Sequence, residues 1–194
     1  MPDATDRDRG RLEIMCDPIV EVLRGSNARE IETVRWFTQQ TRFPLIKGLA
    51  LAANYLSNGL LYVVIGVVFR MSYGATGAVG AAATAMVLGH MLYPVIKRRY
   101  CRRRPFEFDP SVPSLLRPLD DYSIPSGHVM SCVAALTPLC IAVPAILPWA
   151  ISTLLIVGWA RMGAGHHYPS DLIAGAILGL LAALPIVAVQ IGFG

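Results

Sequence analysis

His128, His167 and Asp171 have the types and spacing for covalent chemistry. Asp171 stands four residues after His167 and behind Pro169, at the entry of a long apolar run. If that entry is helical, the carboxylate comes back over His167. A carboxylate on one imidazole nitrogen fixes the tautomer and raises the basicity of the other, which turns a histidine into a nucleophile. The same pair also reads as a loop histidine with an aspartate at a helix N-terminus. The spacing selects His167 and leaves His166 as a bystander. His128 closes the run Pro125-Ser126-Gly127-His128. Proline suits the first turn of a helix, and Ser126 and Gly127 leave the backbone N–H groups open. Free N–H groups at a helix N-terminus make a phosphate site. His128, one residue further in, is placed to pass a proton to a bound group.

The run from Lys97 to Arg104 holds six cations, and Arg161 lies six residues before His167. Lysine and arginine also collect at cytoplasmic helix ends, and Arg98, Arg99, Arg102 and Arg103 fit that anchoring role. The coincidence of the signals carries the chemistry. Cations (Lys97, Arg104 and Arg161) and helix-end amides select an oxyanion, and a phosphate fits best. His167 with Asp171 supplies an attacking nitrogen, and His128 an acid for the leaving oxygen. This is a set for phosphoryl transfer through a phosphohistidine. It calls for no metal and no cofactor, and no further carboxylate cluster offers a magnesium or two-metal site.

These residues need a frame. The chain has 194 residues, of which 54% are hydrophobic and 15% charged, where soluble domains carry about a quarter charged residues. Its mean hydropathy is +0.51. The composition excludes a disordered chain and argues against a nucleic-acid binder. It predicts an all-α integral membrane bundle with about five transmembrane helices: Pro44 to Phe69, Gly74 to Ile96, Gly127 to Ile146, Trp149 to Arg161 and Asp171 to Gly192. Residues 1–43 form a polar N-terminal segment with no cleavable signal peptide, and residues 44–194 the embedded domain. Within the first, Ala28 to Gln40 is read as an amphipathic helix with Ile31, Val34, Trp36 and Phe37 to one side. It lies on the bilayer or packs on the bundle. Alternating spans put the N-terminal segment, the loop Lys97 to Ser126 and the loop Met162 to Ser170 on one side. Cys16, Cys101, Cys132 and Cys140 have no metal-type spacing and are read as free thiols.

Lys97-x6-Arg104-Pro105, then Pro125-Ser126-Gly127-His128, then Arg161-x5-His167-x3-Asp171 resembles the type 2 phosphatidic acid phosphatase family. That family shares its site with vanadium haloperoxidases and some bacterial acid phosphatases. The resemblance runs from about Gly74 to the C-terminus, is weaker over Pro44 to Arg70 and is absent over the first 43 residues. It implies that His167 attacks phosphorus, Asp171 orients it and His128 protonates the leaving group. Lys97, Arg104, Ser126, Gly127 and Arg161 would hold the phosphoryl oxygens. Two departures stand out: Ala160 replaces the usual serine before the third-motif arginine, and five spans replace the frequent six.

A site at the bilayer edge favours a lipid phosphate or diphosphate: phosphatidate, phosphatidylglycerol phosphate, a polyprenyl (di)phosphate or a phosphorylated glycolipid. Membrane lipids are the expected surroundings and nucleic acid is not an expected partner. Two other readings stay open: a phosphotransferase on the same site, and a non-enzymatic protein binding anionic lipid. All lysines and arginines but Arg70 fall on the side of the motifs, which points that side to the cytoplasm. His90 is a candidate for the lipid entry. Asn54, Ser57 and Asn58 are read as interhelical hydrogen-bonding residues, Gly175 and Gly179 as packing glycines. Asp120, Asp121 and Tyr122 are candidates for headgroup contact.

Overall fold

The computed structural model describes residues 25–193, and among these every regular element is helical. We number them α1 (25–40), α2 (Pro44–Leu56), α3 (Leu60–Tyr73), α4 (Thr76–Tyr100), α5 (Pro105–Phe108), α6 (Gly127–Ala142), α7 (Leu147–Gly163) and α8 (Pro169–Phe193). Three stretches are long and apolar enough to cross a membrane: Thr76–Phe108, Pro144–Gly163 and Pro169–Gly192. Large apolar side chains such as Val63, Val67, Met91, Leu155, Ile173 and Leu181 are exposed on their outer faces. In water that surface would be costly; against lipid tails it is the matched one.

α6 is the axis of the bundle. Its residues from Val129 to Leu136 are all buried, and it packs chiefly on α8 and α4. Small residues let the backbones close up. A Cβ built on Gly175 would lie 2.5 Å from the Ser126 carbonyl oxygen, and one on Gly179 would lie 2.6 Å from that of Met130. That closeness lets the Ser126 N–H donate to the Asp171 carbonyl at 2.9 Å. The start of α6 and the start of α8, and with them two of the three motifs, are thereby stitched together.

Two expected spans differ. Pro44 to Phe69 is a broken pair, α2 and α3, bent by 69°. The break falls where Ser57 turns its hydroxyl onto Ala53 and Asn54 carbonyls and Gly59 takes φ +123°, a conformation open to glycine. Gly127 to Ile146 ends early, at Ala142. Val143 is non-helical and Pro144 opens a single 3₁₀ turn. At 1.5 Å per residue the 16 residues of α6 run about 24 Å, short of a ~30 Å hydrocarbon core.

α1 packs on the motif-side loops. Its buried stripe is Asn27, Ile31, Val34 and Thr38, with Ile31 and Val34 against Val112 and Tyr168. Trp36, expected on that side, is 58% exposed. The 3.6-residue period continues the stripe to Thr38 instead. The rest of the N-terminal segment, residues 1–24, lies outside the described residues, and so does Cys16. Cys132 and Cys140 are free, but Cys101 is disulfide-bonded, which corrects its reading as a free thiol. It also ends α4 in the left-handed conformation, φ 46°, turning the chain inward so that Arg102 and Arg104 enter the protein.

Candidate active site

A cavity of about 320 Å³ opens where the α2–α3 elbow, α4 and the start of α6 meet. Arg104, Gly127, His128, Arg161 and His167 line it, with Tyr93, His90 and Asp120. Lys97, Ser126 and Asp171 lie just behind the wall. All three are buried: Lys97 donates to Asp120, Asp171 faces His167, and Ser126 adjoins Gly127 in the chain.

His167 is 2% exposed, in the short loop between α7 and α8. Its Nδ1 lies 3.6 Å from Asp171 Oδ2, an ion-pair separation too long for a hydrogen bond, and has no other partner. That carboxylate oxygen instead accepts the Tyr168 N–H at 2.8 Å, as the helix entry requires. Nδ1 therefore faces the carboxylate and Nε2 is the nitrogen left for the cavity. Burial, reinforced by Arg161, Arg104 and Lys97, holds the His167 imidazole neutral, well below its ordinary range. Neutral is the form in which its lone pair can attack.

The three expected cations sit round this ring, each held differently. Lys97 donates to Asp120 Oδ1 at 2.5 Å and to the Tyr122 carbonyl. Arg104 donates to Asp120 Oδ1 at 2.6 Å, to the Asp120 carbonyl at 3.0 Å and to the His166 carbonyl at 3.0 Å. Asp120 also accepts from the Tyr93 hydroxyl. Burial opposes its ionisation, but Lys97, Tyr93 and Arg104 together hold its carboxyl below the usual carboxylate range. It bridges two cations as an oxyanion would. Arg161 donates Nη1 to Asn54 Oδ1 at 2.5 Å and Nη2 to His166 Nδ1 at 2.9 Å. Its Nε, like Ser126 Oγ, is buried with no acceptor among the described residues. Ser126 caps α6 without a side-chain bond, and the first amides of a helix have no acceptor within it. Buried donors without acceptors are costly. Arg161 lines the cavity and Ser126 adjoins Gly127 on its wall, so both suit an anion.

Several residues do more than their sequence suggests. Arg102, expected as a membrane anchor, is 1% exposed. Its Nη1 donates to Asp171 Oδ1 and to Ser170 Oγ, both at 2.6 Å, its Nε donates to Asn27 Oδ1 at 2.8 Å, and it stacks on Tyr168. Glu30 of α1 joins it, accepting from the Ser170 N–H at 2.9 Å. Arg98 and Arg99 do remain exposed. His166 is no bystander either: its Nδ1 accepts from Arg161, and its Nε2 donates to the Leu116 carbonyl at 2.9 Å. Burial and the two arginines push it down to about 3, so it stays a neutral strut between two cations. Polar residues in apolar runs, Asn54 and Asn58, were the available signal for the rest. His90 lines the cavity with its Nδ1–H donating to the Met86 carbonyl one turn back.

The fold and site define a membrane-embedded helical bundle with two histidines facing a cation-walled cavity. The sequence model of the PAP2 superfamily matches residues 78–192, more than half of the chain, and the chain belongs to that superfamily. It is 33% identical over 99 residues to an undecaprenyl-diphosphatase of Sulfolobus acidocaldarius, covering 49% of this chain and 47% of that one. It is 32% identical over 104 residues to the bacitracin transport permease protein BcrC of Bacillus licheniformis, covering 53% and 51%. The chain thus spans about half the length of the curated relatives it matches. Aquifex aeolicus LpxE superposes with a TM-score of 0.70 at 22% identity, covering 82% of this chain and 94% of that one. A transmembrane PAP2-type phosphatidylglycerolphosphate phosphatase of Bacillus subtilis superposes with a TM-score of 0.68 at 18% identity, covering 94% of each. At such identities these two likenesses speak for the fold.

Proposed function

We propose that this protein is a membrane lipid phosphatase acting through a phosphohistidine on His167. The observation that carries the reading is that buried His167, its Nδ1 turned to Asp171, lines one cavity with His128, Arg104 and Arg161. His167 Nε2 attacks phosphorus and the bond to the leaving oxygen breaks, its electron pair going to that oxygen. His128 gives the oxygen a proton. Lys97, Arg104 and Arg161, with Ser126 and the Gly127 amide, hold the phosphoryl oxygens. Water then attacks phosphorus, His128 takes its proton, and the P–N electron pair returns to His167 as inorganic phosphate leaves. Asp171 faces the other ring nitrogen throughout.

The α2–α3 elbow lines the cavity with Ser57, Asn58 and Gly59 in a bundle whose outer faces are apolar, which favours a phosphate or diphosphate on a lipid. A polyprenyl diphosphate heads the panel because the Sulfolobus relative carries that activity in its name. The test is phosphate release by the detergent-purified protein in EDTA across lipid phosphates and diphosphates. Release that orthovanadate suppresses competitively is the expected result. A protein that releases phosphate from no lipid, or is indifferent to vanadate, does not work this way.

We also infer that the site faces an oxidising compartment. Lys97, Arg102, Arg104 and Arg161 are buried among site and ion-pair partners, so they are poor votes for a cytoplasmic face. Cys101, at the same end of α4, is disulfide-bonded, which cytosolic thiols rarely are. A reporter enzyme that folds only outside the cytoplasm, inserted at Ser111, should be active; activity of a cytoplasm-only reporter there would reverse the assignment.

A further inference from the structure

We propose that the elbow between α2 and α3 belongs to the reacting centre, with Asn58 as a positioning residue for His128. The proposal rests on the reading of His128 as the proton donor. The elbow precedes residues 78–192, the part matched by the superfamily model, and none of the three motifs includes it.

Carboxamides in an apolar run are costly unless their bonds are made. Asn54 and Asn58 stand one helical turn apart, and each reaches a different part of the site. Asn54 is 1% exposed. Its Nδ2 donates to the carbonyls of Ala50 at 2.8 Å and Ala160 at 3.0 Å. Its orientation is thereby fixed, with Oδ1 turned to Arg161 at 2.5 Å. Asn58 sits in the break itself. Its Oδ1 accepts from His128 Nε2 at 2.6 Å, and the Tyr62 hydroxyl, one turn on, donates to the His128 carbonyl at 3.0 Å. Ring and backbone of His128 are both tied to the elbow.

The bend makes this possible. α2 packs on α7, which carries Arg161, whereas α3 packs on α4 and on α6, which carries His128. A straight helix along α2 could not follow both. Gly59 at φ +123° and the 69° bend redirect the chain from one to the other. With Asn58 accepting, the proton is held on Nε2 and rotation of the ring about Cβ–Cγ breaks the bond. Asn58 thus sets the aim of the residue that must protonate the leaving oxygen; His128 gives that proton as an imidazolium with one proton on each nitrogen.

Leaving groups separate this role from a structural one. A lipid alkoxide needs a proton as it departs; p-nitrophenolate does not. Asn58→Leu should lower kcat on an alkyl lipid phosphate by ~10- to 100-fold, with KM nearly unchanged. The burst of p-nitrophenolate from p-nitrophenyl phosphate, which reports the first half-reaction alone, should stay within about 3-fold, and Asn58→Asp, which keeps the acceptor, should recover most of the loss. Nitrogen NMR of ¹⁵N-histidine-labelled protein should show the His128 Nε2 signal moving in Asn58→Leu. A first half-reaction slowed equally on both substrates, or an unmoved Nε2 signal, overturns the proposal. A moved signal in a protein that hydrolyses neither substrate upholds the positioning and overturns the phosphatase reading.

Discussion

His167→Ala should cut phosphate release by about 10⁴-fold or more, the cost of removing a nucleophile rather than a binding group. The side chain is buried, held neutral by burial and by three cations, and turned with Nδ1 to Asp171. No neighbouring group can take its place. His166, its neighbour in sequence, has both ring nitrogens engaged, one by Arg161 and one by the Leu116 carbonyl. The pair therefore gives a built-in contrast. With a lipid substrate labelled in its phosphoryl group, an alkaline quench should trap label on the wild type and on His166→Ala, but not on His167→Ala. His166→Ala should instead raise KM, since it frees Arg161 Nη2 from its imidazole partner while the backbone carbonyl that Arg104 uses remains. Label trapped on His167→Ala, or turnover near the wild-type rate, would put the nucleophile elsewhere.

Arg102→Met should be nearly as damaging, although Arg102 lines no cavity. It leaves the Asp171 carboxylate, 0% exposed, without its counter-ion and removes the bonds from Arg102 to Ser170, Glu30 and Asn27. Removing one partner of a buried pair typically costs about 3–5 kcal/mol. The expected results are a clear fall in thermal stability in detergent and a loss of activity of roughly 10²-fold or more as Asp171 shifts away from His167. Arg102→Lys should recover part of this, because a lysine keeps the charge but not the forked geometry. Arg98→Met and Arg99→Met, at exposed positions of the same basic run, are the controls. If Arg102→Met is as stable and active as Arg99→Met, Arg102 is an anchor after all.

Much of the candidate site's grouping was legible in the sequence because it is local. Ser126, Gly127 and His128 are consecutive, and His167 and Asp171 are separated by one turn of chain; spacing along a helix start fixes such neighbours. The membrane class was legible for the same reason, since a span is a run of apolar residues. Much of the rest depended on packing. The basic run from Lys97 to Arg104 offered six cations of one chemistry, and no spacing rule says which three turn inward. The left-handed end of α4 at Cys101 decides it for Arg102 and Arg104, sending Arg102 to a partner 69 residues away, while the buried face of α4 holds Lys97. Periodicity likewise misplaced Trp36, because the partner of α1 is a loop surface whose shape no local pattern states.

By itself the sequence determined an apolar helical chain in which two histidines, a carboxylate and several fixed cations stand at the ends of the apolar runs. Only the tertiary structure decided which polar residues hold them. Asn54 reaches Arg161 over 107 positions, and Asn58 reaches His128 over 70. Contacts of that range come from helices chosen to pack by small residues and a glycine-permitted bend. A buried polar group must find a partner wherever that packing brings one, and the partner's identity is a property of the assembled bundle.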